Sequence, residues 1–264
     1  MLVLKFGGGD GINRDALACD AAALAKDGEK IVIVVGANAE LTRAQKKCGI
    51  ESRMITSENG EKSRWTDEET LNLLRKVYGD VANDIAVKIR KNSGMAEAWL
   101  ASENSFVVAQ RHKKMRIVEN NKRKVIDGDL TGRIEKVNIE KMQEILASGK
   151  IVVITPPAIT TTGEEVNVDG DKIASKIAIA LGAEKLIFFS NTPGLLAKVE
   201  DEASLIHDIP VAKADFFAVG RMKKKILAAA RAIASGVGEV IFADGRVEKS
   251  PIRKALVGKG TRVF

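Results

Sequence analysis

The sequence predicts a doubly wound α/β fold, and three observations carry that prediction. Short, almost wholly apolar runs recur along the chain at residues 2–6 (LVLKF), 31–35 (IVIVV), 151–155 (IVVIT), 185–190 (KLIFFS) and 238–245 (GEVIFADG). Each is too short for a helix and too apolar for a strand with a wet face, so each reads as a strand covered on both sides. Segments of helical period separate these runs. One stretch, residues 167–196, joins all the parts: a cap, an apolar-striped helix, a buried strand and a turn. In such sheets ligands sit beyond the carboxyl ends of the strands.

Taken in order, the first strand (2–6) runs straight into Gly7-Gly8-Gly9. Glycines after a strand let backbone N–H groups close on an anion. The spacing is neither GxGxxG nor GxxxxGK, so the dinucleotide and Walker readings fail, and a bare glycine cluster reads equally well as a tight turn. Residues 14–27 form an amphipathic helix (Leu17, Ala21, Leu24) stopped by Gly28, and the second strand closes at Gly36-Ala37. Residues 56–65 are turn-like around Asn59-Gly60. Thr66-Asp-Glu-Glu69 predicts a capping box that opens a helix to about residue 91, with Leu71, Leu74, Tyr78, Val81 and Ile85 on its buried stripe.

From Arg111 to Lys124 the chain carries seven basic residues on a predicted hairpin with Asn120-Asn121 at its tip. A helix over 138–148, the strand 151–155, and the turn Thr160-Thr-Thr-Gly163 follow. In the 167–196 stretch, Asn167 and Asp169 offer cap chemistry, Ile173, Ile177 and Leu181 form the stripe, Gly182 is the stop, and Asn191-Thr192-Pro193-Gly194 is the turn. Gly220-Arg-Met-Lys-Lys-Lys225 opens the last long helix, with Ile226, Ala230 and Ile233 on one face.

Composition narrows the class. Hydrophobic content of 45% and charged content of 29% are those of a soluble globular enzyme. No apolar run is long enough to cross a bilayer, and Lys5 and Asp10 interrupt the first segment, so no membrane or secretory role is expected. Cys19 and Cys48 give neither a disulfide framework nor a metal-ligand cluster, which makes the cytoplasm the expected location. A net charge of +7 is high for an enzyme acting on a small anion. It leaves open a nucleic-acid partner, an acidic protein partner, or only a lysine-rich surface.

The segment NVDGD before an alanine-rich helix, followed by ALGAEKLIFFSNTPGLL, resembles the amino acid kinase family. The resemblance runs along most of the chain: the strand and glycines at 2–9, Arg64 before Thr-Asp, Asp127-Gly-Asp-Leu-Thr-Gly-Arg133, and Gly-x-Met-x-x-Lys ending at Lys225. It is greatest to the acetylglutamate kinase branch, and within that to kinases whose substrate rides on the carrier protein LysW.

The resemblance implies a three-layer αβα sandwich with a mainly parallel central sheet in two lobes, residues 1–163 for substrate binding and dimerisation and 164–264 for ATP. It implies Lys5 and Lys225 as the two lysines that meet the phosphoryl group, with Asp171 holding both ammoniums. Gly36, Ala37, Arg64 and Asn167 would contact the acceptor, and Gly7, Gly8, Gly9, Ser190, Asn191 and Thr192 the nucleotide. Its cofactors would be ATP and Mg²⁺, with no protein-bound metal site. Its partners would be the acidic carrier and a second copy of the chain, docked through the helix 66–91. A nucleic-acid partner is not expected, because aromatic residues are not interleaved with the 111–124 charge.

Two alternatives stay open. One is N-acetylglutamate kinase, with the same chemistry and a small acetyl block. The other is a non-catalytic relative that binds a nucleotide or a partner. It is motivated by Ala37 where relatives carry a second glycine, and by residues 94–110, which lack their Ser-Gly turn. Retention of Lys5, Asp171 and Lys225 favours catalysis. His112 and His207 fall in no motif, which argues against relatives such as isopentenyl phosphate kinase.

Overall fold

The computed structural model describes residues 1–264 except 59, 61, 120, 121 and 218–222. The predicted tip at Asn59, the tip at Asn120-Asn121, and Gly220-Arg-Met therefore lie outside the described residues. In chain order the first half contains β1 (Leu2–Phe6), α1 (Arg14–Lys26), β2 (Ile31–Val35), α2 (Asn38–Cys48), β3 (Met54–Thr56), β4 (Lys62–Arg64), α3 (Glu68–Lys91) and β5 (Ala96–Leu100). Next come β6 (Val107–Arg111), β7 (Lys114–Glu119), β8 (Lys122–Asp127), β9 (Gly132–Val137), α4 (Glu140–Ala147), β10 (Ile151–Thr155), β11 (Ala158–Ile159) and β12 (Glu165–Val166). The rest is α5 (Gly170–Leu181), β13 (Lys185–Ser190), β14 (Asp208–Ile209), α6 (Ala214–Phe217), α7 (Lys223–Ala234), β15 (Glu239–Asp244), α8 (Pro251–Leu256) and β16 (Thr261–Val263).

The central sheet has the order β14-β16-β15-β13-β1-β2-β10-β5 and is parallel except where β16 runs against β15. Strand periodicity sorts its side chains into two cores. Leu2, Leu4, Phe6, Ile31, Ile33 and Val35 pack with Leu17 and Ala21 of α1, Ile85 and Ile89 of α3, and Ile252 of α8. Val3, Val32, Val34, Val152 and Ile154 pack on the other face with Ile173 and Ile177 of α5, Ile226 of α7 and Met142 of α4. Fully burying each such side chain is worth about 1.5–3 kcal/mol, so the layers are the sandwich the sequence predicts. Lys5 is in phase with Val3. It therefore leaves β1 on the α5 face, one residue before the strand ends.

Two local expectations are corrected. Helix α3 is capped by Asp67, whose carboxylate accepts from the Thr70 N–H at 2.8 Å, and not by Thr66. Thr66 is committed elsewhere: its N–H donates to Asp129 at 2.8 Å and its hydroxyl donates to the Arg64 carbonyl at 3.1 Å. The basic run also divides differently. Arg111 ends β6, in a four-stranded sheet ordered β12-β11-β6-β9, and pairs with Glu164 at 2.5 Å. Only the residues from Lys114 onward form the β7–β8 hairpin, which seats buried Ile117 against Ser57 beside the β3–β4 hairpin.

Residues 94–110 supply the edge strand β5 and a tight turn in which Asn104 and Ser105 take φ of 50° and 49° without glycine. Trp99 then closes edge-on against Phe106, with centroids 6.0 Å apart.

Candidate active site

Two cavities open at the carboxyl ends of the central strands. One, of about 440 Å³, is lined by Gly36, Arg64, Tyr78, His112, Thr131, Asn167 and the first turn of α5, among others. The other, of about 210 Å³, is lined by Gly7, Gly8, Phe188, Phe189, Ser190, Lys225 and Phe242. Lys5, Asn38 and Asp171 line both.

Lys5 is 7% exposed, and its ammonium lies 3.0 Å from the Asp171 carboxylate and 3.3 Å from the Phe6 carbonyl. Two glycines make room for it. A Cβ on Gly170 would stand 2.9 Å from the Lys5 Cε, and one on Gly36 would stand 3.3 Å from its Nζ. Asp171 reaches Lys5 because the Asp169 side chain starts α5, accepting from the Asp171 N–H at 2.7 Å and the Lys172 N–H at 3.1 Å. The positive end of that helix thereby faces the cavity.

The glycine loop after β1 presses on the turn after β2. A Cβ on Gly8 would come within 2.7 Å of the Asn38 N and 2.8 Å of the Ala37 N, so only glycine fits. Gly7 is held by its N–H to the Phe189 carbonyl at 2.9 Å, and Gly9 has open space around its Cβ position. Arg14 braces the second turn, donating to the Gly36 carbonyl at 2.9 Å and pairing with Glu40 at 2.6 Å.

The Ala37 methyl is fully buried with Leu41, Leu74 and Tyr78, below the turn, and does not line the cavity. The extra carbon therefore takes up core space and adds nothing to the wall of this cavity.

Among the described residues Arg64 is positioned without an acid. Its guanidinium donates to the Gln45 side-chain oxygen and the Ser52 hydroxyl, and to the Thr42 hydroxyl at 2.8 Å. Burial lowers its pKa, and no carboxylate offsets that. Its Nε is buried with no partner among the described residues. A cation desolvated among neutral acceptors keeps its charge for an anion in the cavity.

Asn167 is fixed from both sides. Its backbone bonds Leu130 and Gly132, and its side-chain amide donates to the Thr66 hydroxyl at 3.1 Å. Asp129, 2% exposed, ties Thr66 to Thr131, and burial raises its pKa. The segment Gly128–Gly132 is thus the clamp between the start of α3 and Asn167.

The remaining predicted residues are placed as follows. Lys225 rests its ammonium 5.9 Å from the Phe242 ring centroid, and no ion pair joins it to Asp171 among the described contacts. Phe188 and Phe242 stack at 5.3 Å beside it. Ser190 and Thr192 share a hydroxyl hydrogen bond at 3.0 Å, while Asn191 is exposed and lines neither cavity. No group of three or more acidic, histidine or cysteine side chains with metal-holding geometry occurs among the described residues.

Sequence reasoning missed Asn38 and Tyr78. Tyr78 reads as one more member of a helical stripe, and its hydroxyl finds its partner, the Asn38 side chain, forty positions away at 2.7 Å. The one available signal was Asn38 itself, the first helical residue after a glycine turn.

A strand-borne lysine held by a helix-borne carboxylate, between two cavities at the carboxyl edge of a parallel sheet, is an arrangement able to neutralise charge on an anionic group lying between them. The amino acid kinase family profile matches residues 1–244, and the chain belongs to that family. It is 42% identical to the [LysW]-aminoadipate kinase of Thermus thermophilus over the full length of both chains. It is 43% identical to the enzyme of that name from Deinococcus radiodurans, over all of this chain and 91% of the other. An acetylglutamate kinase from Clostridioides difficile is 32% identical over 98% of this chain and 88% of that one. Among solved structures, N-acetylglutamate synthase from Neisseria gonorrhoeae superposes with a TM-score of 0.79 at 22% identity, across 99% of this chain and 58% of the longer one, a likeness of fold. No helix of the described residues is long and apolar enough to cross a membrane.

Proposed function

We propose that this protein is an ATP-dependent kinase that phosphorylates the side-chain carboxylate of an amino-blocked acidic amino acid, aminoadipate or glutamate, carried on a LysW-type protein. The observation that carries this reading is the pair of cavities sharing Lys5 and Asp171, the larger containing an arginine that, among the described residues, is held by neutral acceptors alone. It stands beside full-length identity above 40% to kinases of that name. Acetylglutamate is the second acceptor to weigh, because an acetylglutamate kinase is also a relative.

A carboxylate is already ionised at neutral pH, so its phosphorylation needs no general base. What it needs is the alignment of two repelling anions and neutralisation of charge on the phosphoryl group in transit. In this reading Lys5 and Lys225 supply that charge, Arg64 and Asn167 orient the acceptor, and Gly7, Gly8 and Ser190 border the phosphates. A backbone that only glycine can form beside Asn38 suits close approach of phosphate oxygens. A magnesium ion would lie on the nucleotide's own oxygens. The two-lobe division at residues 163 and 164, in the turn between β11 and β12, belongs to the same reading. ADP release with carrier-bound aminoadipate, carrier-bound glutamate and free acetylglutamate tests it, and preference for free acetylglutamate overturns the carrier assignment.

The carrier's docking surface in this reading is the β7–β8 hairpin together with Lys113, which leads into it. Lys113, Lys114 and Lys122 are exposed and carry no ion pair among the described residues, whereas Arg123 reaches Glu58 at 3.4 Å and Lys124 reaches Glu119 at 2.5 Å. A basic rim steers an acidic carrier, and its effect is screened over about 8 Å at physiological salt. Changing the three unpaired lysines to glutamate is expected to lower kcat/KM for carrier-bound substrate at low salt and to flatten its salt dependence. Turnover on free acetylglutamate should be unaffected. Unchanged carrier kinetics would assign the charge to solvation alone.

A second copy in this reading covers α3 and the edge strand β5, where Val87 and, just before the strand, Met95 stand exposed. Sedimentation of wild type and Val87→Asp checks it: the wild type should be dimeric and the variant shifted toward monomer.

A further inference from the structure

Among the described residues three line both cavities. Two of them, Lys5 and Asp171, already have roles in the proposed reaction. We infer that the third, Asn38, is a catalytic residue: its side-chain NH₂ donates to an oxygen of the phosphoryl group as that group passes from one cavity to the other. The inference rests on the kinase reading above.

What singles out Asn38 is the orientation of its amide. An asparagine amide offers two donors on one side and one acceptor on the other, and which side faces a ligand is usually free to change. Here it is fixed. The Tyr78 hydroxyl donates to Asn38 Oδ1 at 2.7 Å, and the Ala37 N–H is directed at the phenol oxygen, so that oxygen is already served as an acceptor. Tyr78 is 5% exposed, packed with Ala37, Leu41 and Leu74, and its pKa is pushed up to about 12 by burial, so it remains a donor throughout the working pH range. With Oδ1 tied down, Nδ2 turns away from the core, and no described residue accepts from it. Asn38 is exposed at the first helical position of α2, where Ala37 caps the helix and Gly8 presses on its backbone nitrogen. Backbone and side chain are thus both set before any substrate arrives, which is the condition under which a donor stabilises a transition state without reorganising.

In the step itself, an oxygen of the acceptor carboxylate gives its lone pair to the γ-phosphorus and forms the new O–P bond. The bond from that phosphorus to the β,γ-bridging oxygen breaks, and its pair leaves with the nucleoside diphosphate. No proton moves. Negative charge on the three transferring oxygens lies between the cavities, within the space that Lys5 and Asn38 border together. A neutral donor there adds stabilisation without further repelling the lysines.

The test is a set of three variants. Asn38→Ala is expected to lower kcat by about 10²-fold while both KM values stay within about threefold. Asn38→Asp, equal in size but carrying an acceptor where the donor was, should fall further. Tyr78→Phe should lower kcat by about tenfold in the wild type and add nothing on top of Asn38→Ala, because it acts only by orienting that amide. A structural role for Asn38 would instead lower thermal stability and leave kcat of the folded enzyme within a few-fold of wild type.

A second readout does not depend on the acceptor's identity. MgADP with tetrafluoroaluminate mimics the group in transit, and wild type should bind it more tightly than MgADP alone. Asn38→Ala should lose about tenfold of that gain and bind MgADP alone normally. A wild type that gains nothing from the fluoride, or a variant that keeps the gain, overturns the assignment of Asn38. Retention of the fluoride effect with no turnover on any carboxylate acceptor would overturn the kinase substrate instead and leave Asn38 in place.

Discussion

Replacing Lys5 with alanine is expected to lower kcat by on the order of 10²–10³ while leaving the KM for ATP within a few-fold of wild type. The size follows from how the side chain is kept. It is 7% exposed, extends under Gly36 and Gly170, and among the described residues has Asp171 as its one ion-pair partner. A charge prepared in that manner contributes little to binding a nucleotide that other groups also hold, and much to the moment when charge spreads over the transferring oxygens. Asp171 is more than half exposed, so leaving it without a cation costs little folding stability, and the loss reads as catalysis. Lys225→Ala should behave alike. Steady-state kinetics decide the matter: near-normal turnover in either variant removes that lysine from the mechanism.

Arg64→Lys is expected to raise the acceptor's KM by about 10- to 100-fold and to leave the KM for ATP unchanged, the range that corresponds to losing a charge-assisted hydrogen bond of about 1.5–3 kcal/mol. The guanidinium is splayed across Gln45, Ser52 and Thr42, contacts that a single ammonium cannot all make. Lysine keeps the charge but loses the planar fork that matches a carboxylate. Equal effects on both substrates would place Arg64 in the scaffold, and a fall in melting temperature alone would do the same.

The architecture was legible in the sequence because strands covered on both faces leave a plain record. IVIVV is apolar at every position and IVVIT and EVIFAD at all but their end residues, and each became an interior strand of one sheet. Capping was less legible, since Thr66 and Asp67 both suit a helix start. The choice between them depends on Asp129, more than sixty residues on, which takes the Thr66 N–H. The site divides along the same line. Lys5, Gly36, Arg64, Asn167 and Asp171 sit in motifs, and the fold brings them to one cavity. The outward turn of Asn38 depends on a hydroxyl hidden in an apolar stripe, and the harmlessness of the Ala37 methyl on what lies beneath it, neither of which has a local signature.

The position of β1 has a consequence for how the chain is made. Leu2 pairs with Ile31 on one edge and with Lys185 on the other, so the strand bearing Lys5 is completed only after β13 exists. At about 5–20 residues per second of synthesis, its second edge stays open for roughly ten to forty seconds. An open edge reading LVLKF invites pairing with another nascent chain, and its single charge is the feature that opposes it. We therefore expect Lys5→Ala to aggregate during synthesis more than Lys5→Arg, although both lose turnover; equal soluble yields would limit the residue to its chemical task. If the yields differ as expected, the same ammonium guards the strand on the ribosome and serves the reaction once the sheet has closed around it.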